Sequence, residues 1–213
     1  MCNHYQGLQR PEAYREIFQV EPPAEEGKED MWPFYQGCFI RRHPYADLDI
    51  EEFPPHEALI GQYGLVPHWA NNLSLGLHTY NAPSETVATK PSFRDAWSHA
   101  RHCIIPVVAI YEPDWRTGKP VPTRISRADG QPMGIAGLWD QWTSPRGEVV
   151  HSFTMLTINA DQHPLMNLFH KPTDEKRMVV ILEPEQFDPW LQAPASRSME
   201  FLRPFPAEGL QVG

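Results

Sequence analysis

Apolar residues along this chain fall in short runs, some alternating and some continuous, and Pro, Gly and polar clusters interrupt them at close intervals. Pro11 opens a short amphipathic helix with Tyr14, Ile17 and Phe18 on one face, and Pro22-Pro23 stops it. Residues 34–41 and 58–66 read as strands separated by an acidic connection over 43–55, and Pro67-His68-Trp69 ends the second. A polar, Gly-containing loop over 71–79 delivers the chain to Tyr80-Asn81-Ala82. Pro91 begins a helix carrying Phe93, Ala96, Trp97 and Ala100 at helical spacing, and the near-continuous apolar run 103–111 is a buried strand that ends on Glu112.

Farther along, 122–127 and 133–142 are predicted to form a hairpin about Ala128-Asp129-Gly130, with Asp-Gly as the turn signal. A strand over 148–158 returns across the turn 144–147, 162–169 is a short helix presenting His170 at its end, 177–182 is a strand and 185–191 a last helix. Strands dominate and most neighbours can pair antiparallel. The expected fold class is therefore α+β, a single domain over 1–213 built on a curved, largely antiparallel sheet or barrel with helices packed outside. The 23 prolines and 13 glycines argue against a helical bundle, and 213 residues with 41% hydrophobic content suit one substantial core.

No apolar stretch approaches the ~18 residues of a membrane span, and no basic-then-apolar leader opens the sequence, so we expect a soluble cytoplasmic protein. Three widely spaced cysteines, Cys2, Cys38 and Cys103, without a CxxC, fit a reducing compartment rather than a disulfide framework. The formal charge of -9 would exclude a nucleic-acid partner were it evenly spread. It is not: residues 21–30 and 47–57 hold ten of the 27 acids and only Lys28 of the 18 bases, leaving 17 of each elsewhere. A neutral body can carry a local basic groove, although a plain acidic surface fits the same counts.

Cys2 follows the initiator methionine, so removal of Met1 would give one residue a free α-amine and a thiol. With reference pKa values near ~8 and ~8.5, both are partly nucleophilic at neutral pH. An aldehyde would give an imine with the amine, and the tethered thiol would then close a five-membered thiazolidine ring. Asn81, Glu112 and His170 are isolated polar residues at the ends of apolar strands or helices, where catalytic groups tend to sit. Each alone reads equally as a turn cap, a solvent-facing acid or a helix end.

Taken in order, Met1-Cys2, Gly64-Leu65-Val66-Pro67-His68-Trp69-Ala70, Asn81-Ala82 with Glu85-Thr86, and 101–112 with Cys103, Pro106, Tyr111 and Glu112 resemble the SOS-response-associated peptidase family. Downstream, Ala136-Gly137-Leu138-Trp139-Asp140 is similar to that family's AGLWE segment, and 153–157 through His170 to Arg177-Met178 is similar to its FTILT and histidine segments. The resemblance implies a sensor of abasic sites in single-stranded DNA that forms a covalent crosslink through Cys2, with self-cleavage of Met1 and abasic-site lyase activity as related chemistry. By the same analogy Asn81 would hold the sugar, Glu112 would move protons in imine formation and ring closure, and His170 would act on the sugar hydroxyl and in reversal. To DNA contacts we assign His4, Trp69, Thr157, Lys171 and Arg177. The expected partner is single-stranded DNA containing abasic sites, bound by a monomer that is nucleoid-associated when on DNA.

Asn3-His4 stands where the family often has Gly-Arg, Pro83 where an arginine often follows Asn-Ala, Val108-Ala109 for Asp-Gly, Pro113 for a tryptophan, and Tyr63 for a tryptophan before Gly64. These departures bear on affinity and DNA geometry more than on the covalent chemistry. His99, His102 and Cys103 invite a metal, but no second ligand pair accompanies them, and we assign neither metal nor cofactor. Two rival functions use the same residues: an N-terminal-nucleophile cysteine amidohydrolase, and a non-catalytic binder of single strands that stacks bases on Trp69.

Overall fold

The computed structural model describes residues 2–48 and 53–213. Met1, and Asp49, Glu51 and Glu52 of the second acidic segment, lie outside the described residues. The chain runs β1 (Tyr5–Gly7), α1 (Pro11–Glu16), β2 (Asp30–Met31), β3 (Gln36–Arg42), β4 (His56–Tyr63), β5 (Asn81–Pro83) and α2 (Arg94–Ser98). It continues through β6 (His102–Asp114), β7 (Val121–Arg127), β8 (Met133–Thr143), β9 (Val149–Asn159), β10 (Arg177–Val179), β11 (Ile181–Leu182), α3 (Phe187–Gln192) and β12 (Leu210–Val212). Five of these strands close a ring. β3 pairs with β4, β4 with β9 in parallel, β9 with β8, β8 with β6, and β6 back with β3. The result is a five-stranded mixed barrel with further strands on its edges and few helices, as the α+β expectation requires.

β6 is the longest element, and its thirteen residues are shared between partners in series. On one edge His102–Val107 pairs with β8 and Ile110–Asp114 with β7; on the other, Ile104 and Cys103 pair with β3 and Val107–Ile110 with β1. This sharing corrects the predicted hairpin. The Asp129-Gly130 turn forms, with Gly130 at φ 75°, but β7 folds back on the far half of β6 while β8 pairs with the near half. The turn thus carries the chain from one half of β6 to the other.

The predicted helices shorten for local reasons. The one expected from Pro91 is confined to Arg94–Ser98 and ends where Ala100 turns left-handed at φ 50°. At 162–169 only the 3-10 turn Met166–Leu168 forms, because the His163 ring takes the Leu165 and Met166 N–H groups at 3.2 and 2.9 Å. Conversely, the loop expected at 71–79 contains a 3-10 turn, Leu73–His78, capped by Asn72 accepting from the Ser74 N–H. No described helix is long and apolar enough to cross a membrane.

The interior is strongly aromatic. Phe39 of β3 packs on Phe153 of β9 at 5.6 Å, Phe153 stacks on Tyr63 of β4 at 5.6 Å, and Tyr63 meets Tyr5 of β1 edge-on at 5.2 Å. These rings tie the N-terminal strand to the barrel. β4 and β5 lie end to end along one edge of β9, both parallel to it, with Tyr63 opposite Phe153 and Asn81 opposite Met155. Between them the chain loops out and back, and the crossing is made at two glycines. A Cβ on Gly64 would lie 2.0 Å from the Gly76 carbonyl oxygen, and Gly64 has φ 121°.

That crossing sets where Asn81 rejoins the sheet, so Gly64→Ala should cost about 2 kcal/mol or more in urea unfolding. Gly130→Ala, which shares a positive φ but meets nothing within 4 Å, should cost about half as much or less. Equal, small losses would show that the crossing is not tight.

Candidate active site

The register of β1 against β6 decides what lies beside Cys2. Tyr5 is opposite Ile110, and the Tyr111 N–H donates to the His4 carbonyl at 3.0 Å, so continuing the antiparallel pairing brings Cys2 to the Glu112-Pro113 end of β6. His170 arrives from another direction. Phe169 bridges to Asp114, and the His170 N–H donates to the Pro113 carbonyl at 2.8 Å. His170 itself has φ 63°, a left-handed conformation that a non-glycine residue holds only when its surroundings insist. Asn81 is delivered by β5 and Tyr63 by the end of β4.

Cys2, Asn81, Glu112 and His170 are all buried and converge. The Cys2 carbonyl accepts from Tyr63 Oη at 2.9 Å and from Asn81 Nδ2 at 2.6 Å. Its Sγ–H donates to the His4 carbonyl at 3.5 Å. His170 Nε2 lies 3.3 Å from Glu112 Oε2 and 3.4 Å from the Arg177 carbonyl. The Glu112 carboxyl also meets the Cys2 thiol, and among the described residues Asn81 Oδ1 has no hydrogen-bond partner. Asn81 Oδ1, beside a carboxyl that faces His170 Nε2 and the Cys2 thiol, is spare acceptor capacity in one buried cluster, and such atoms are costly to leave alone.

Burial dominates the electrostatics. It pushes the Glu112 carboxyl up to about 7, into the range where a carboxyl both gives and takes protons at neutral pH. It lowers His170 to about 4, helped by the Lys176 charge, so the imidazole is neutral there. The Cys2 thiol is raised well above its ordinary value, by burial first and then by the Glu112 charge. It is therefore held as a thiol and requires a base to become a nucleophile, and Glu112 is the group poised to take the proton.

The residues assigned to DNA contacts divide. Trp69 is half exposed on its turn beside Asn71, Asn72 and His78. Lys171 is exposed, with its ammonium 5.4 Å above the Trp115 ring. His4 is sandwiched between Trp32 and Tyr111 and bonded to Asp30. Thr157 is wholly buried, its hydroxyl and carbonyl both accepting from Arg177. Arg177 is also buried, bidentate to Glu85 at 3.0 Å and paired with Glu175, so its charge is already balanced. A groove of about 490 Å³ lined by Pro83, Glu85, Thr86, His170, Glu175 and Arg177 leads to the His170 side of the cluster. His99, His102 and Cys103 point apart: His102 bonds Ser198, His99 meets Asp95, and Cys103 is buried. Tyr63, which sequence reasoning treated only as a departure from a family pattern, is a working part of the site; its hydroxyl 61 residues from Cys2 left no local signal.

A family model described as SOS response associated peptidase (SRAP) matches residues 1–213. Among characterised relatives, the chain is 32% identical over 158 residues to the abasic site processing protein YoqW of Bacillus subtilis, covering 71% of this chain and 66% of that protein. It is 25% identical over 222 residues to the abasic site processing protein HMCES of Gallus gallus, covering 92% of this chain and 62% of the relative. The match thus spans just under two thirds of those relatives' lengths. A crystal structure of a protein from Bordetella bronchiseptica superposes with a TM-score of 0.90 at 47% identity, covering 99% and 98% of the two chains. One from Bacteroides thetaiotaomicron shares the fold at a TM-score of 0.76 and 20% identity.

The two perturbed groups pull stability in opposite directions. Glu112 is raised from 4.5 to about 7, so its contribution is complete below about 4.5 and lost as pH rises through about 7. His170 is lowered from 6.5 to about 4, so its contribution is complete above about 6.5 and lost as pH falls through about 4. Glu112→Gln should therefore gain on wild type between about pH 5 and about pH 8 by on the order of 3 kcal/mol, and His170→Gln should gain on it only on the acid side. Urea unfolding at several pH values reads both. Parallel stability curves for wild type and Glu112→Gln would show that the carboxyl is not perturbed.

Proposed function

The chain belongs to the SOS response associated peptidase family, and from that premise we propose that it captures abasic sites in single-stranded DNA through Cys2. The observation that carries this reading is the convergence of Cys2, Asn81, Glu112 and His170 in one buried cluster built from four separate elements. The relatives, abasic site processing proteins by name, supply the substrate class. An open abasic site is an aldehyde, the electrophile suited to an amine and a thiol on one residue.

With Met1 removed, the Cys2 amine adds to the aldehyde carbon and the carbonyl oxygen leaves as water, giving an imine. The thiol then adds to the imine carbon while its proton passes to the nitrogen, closing the thiazolidine with one water released overall. Glu112 carries protons in both steps: as an acid it helps the hydroxyl leave, and as a carboxylate it takes the thiol proton. Asn81 keeps Cys2 in place through Nδ2 and offers Oδ1 to the sugar. His170, neutral and in the groove, exchanges a proton with the sugar hydroxyl, which governs strand cleavage and reversal of the adduct.

The same thiol can free its own amine. Attack of Sγ on the Met1 carbonyl breaks the peptide bond, transfers the acyl group to sulfur and leaves the Cys2 amine, and one water then hydrolyses the thioester to release methionine. Exposed Trp69 serves as a base-stacking residue and Lys171 as a phosphate contact, while Thr157 and Arg177 act by shaping the groove wall.

Protein beginning at Cys2, mixed with a single strand containing an abasic site, should give an adduct that survives heat and detergent on a gel. Cys2→Ala should abolish it. Glu112→Gln should slow capture by about 10² to 10⁴, and His170→Ala should alter cleavage or reversal more than capture. An equally stable adduct from Cys2→Ala, formed without a chemical reductant, would sink the assignment.

A further inference from the structure

Between β2 and β3 the chain makes a four-residue turn, 32–35, that presents Trp32, Phe34 and Tyr35 to solvent at 37, 39 and 39% exposure. Three large aromatic rings exposed within four residues are unusual on a protein surface. The Tyr35 N–H donates to the Trp32 carbonyl at 3.0 Å, so Pro33 and Phe34 are the central residues of a β-turn. Phe34 has φ 78°, in the position that such turns give to glycine or asparagine. A bulky residue there costs stability, and the turn holds it because the Phe34 N–H donates to the Tyr63 carbonyl at 2.7 Å. The strain keeps an aromatic ring outside.

This turn is joined to the candidate active site by a column of rings. Trp32 stacks on His4 with centroids 4.1 Å apart and planes 14° from parallel, and His4 stacks on Tyr111 at 4.2 Å and 15°. His4 is two residues from Cys2, and Tyr111 precedes Glu112. Asp30 locks the column by accepting from Trp32 Nε1 at 3.1 Å and bonding His4 Nε2 at 2.6 Å. The acids beside the turn are exposed but paired, Asp30 with His4 and Trp32 and Glu29 with Gln6, while the Lys28 ammonium sits 3.8 Å over the Tyr35 ring.

We infer that the turn 32–35 is a stacking platform for the nucleobase that flanks the abasic residue in the single strand. The inference rests on the reading of Cys2 as the capturing residue. An abasic nucleotide has no base of its own, so its neighbour presents an unstacked face beside the gap. A fixed aromatic column whose middle ring is two residues from Cys2 and whose inner ring precedes Glu112 offers that face a replacement, and stacking of this kind is indifferent to base identity. The column also occupies the position where His4 replaces a cation common in the family.

Binding is separated from capture by a single strand carrying a tetrahydrofuran abasic analogue, which has no aldehyde, read by fluorescence anisotropy. Trp32→Ala should weaken binding about 5- to 100-fold, and Trp32→Phe should restore most of it. Phe34→Gly is the sharper variant: it should raise the melting temperature by relieving the positive φ and still weaken binding. A merely structural turn predicts the first effect without the second. If wild type crosslinks a natural abasic strand but both variants bind the analogue like wild type, the platform is wrong and the reading of Cys2 stands. If wild type neither crosslinks nor binds, both fall. If wild type is a dimer that Trp32→Ala dissociates with DNA affinity unchanged, the turn is a protein interface and the platform is likewise wrong.

Discussion

A carboxyl group kept out of water, faced by an imidazole and a thiol, is the constraint around which this molecule is arranged. Glu112 lies near the end of the longest strand, 1% exposed, and the low-polarity surroundings that raise it to about 7 come from elements remote in sequence. Burying such a group costs a protein of this size a noticeable share of its stability. The barrel meets that cost by burying a nearly continuous aromatic interior from Phe39 to Tyr5, on which the site rests. His170, held left-handed, is a second expenditure at the same place, and local strain of this kind concentrates where geometry matters more than stability.

The opposite shifts of Glu112 and His170 have one origin and different chemical results. Burial favours the neutral form of each, so near neutral pH the site contains an acid that is part protonated, an imidazole that carries no charge and a thiol that has not ionised. Nothing in the cluster is committed. Proton inventory is small and movable, which suits a sequence of additions and eliminations in which the same atoms must be protonated at one moment and bare at the next.

How much of this was legible in the sequence follows from the range of the interactions. The apolar run ending on Glu112 announced β6, which continues two residues farther to Asp114, because a strand buried on both faces writes its own pattern. The strands of the barrel wall were visible for the same reason. Pairing was not: the Asp129-Gly130 turn looked like a hairpin because local turn chemistry cannot show that β6 is long enough to take β7 and β8 in series. β1 is three residues with no pattern to read, and the parallel strand β5 is defined only by β9, far along the chain. For the site, ordered motifs pointed to Cys2, Asn81, Glu112 and His170, yet that Asn81 holds the Cys2 carbonyl, that Arg177 is matched by Glu85, and that Trp32 reaches His4 are contacts across 79, 92 and 28 positions that no spacing rule encodes.

The hydrogen bonds from Tyr63 and Asn81 to the Cys2 carbonyl lie downstream of that residue's nitrogen. A grip placed there is blind to whatever the nitrogen carries. Chain ends ordinarily fray because nothing holds the last unit. Here the second residue is fastened by its own carbonyl, so the proposed removal of Met1 would change the chemistry available at the nitrogen and leave the grip on the carbonyl untouched. On that proposal one cradle would host two successive identities of the same residue, first a link in a chain and then its beginning.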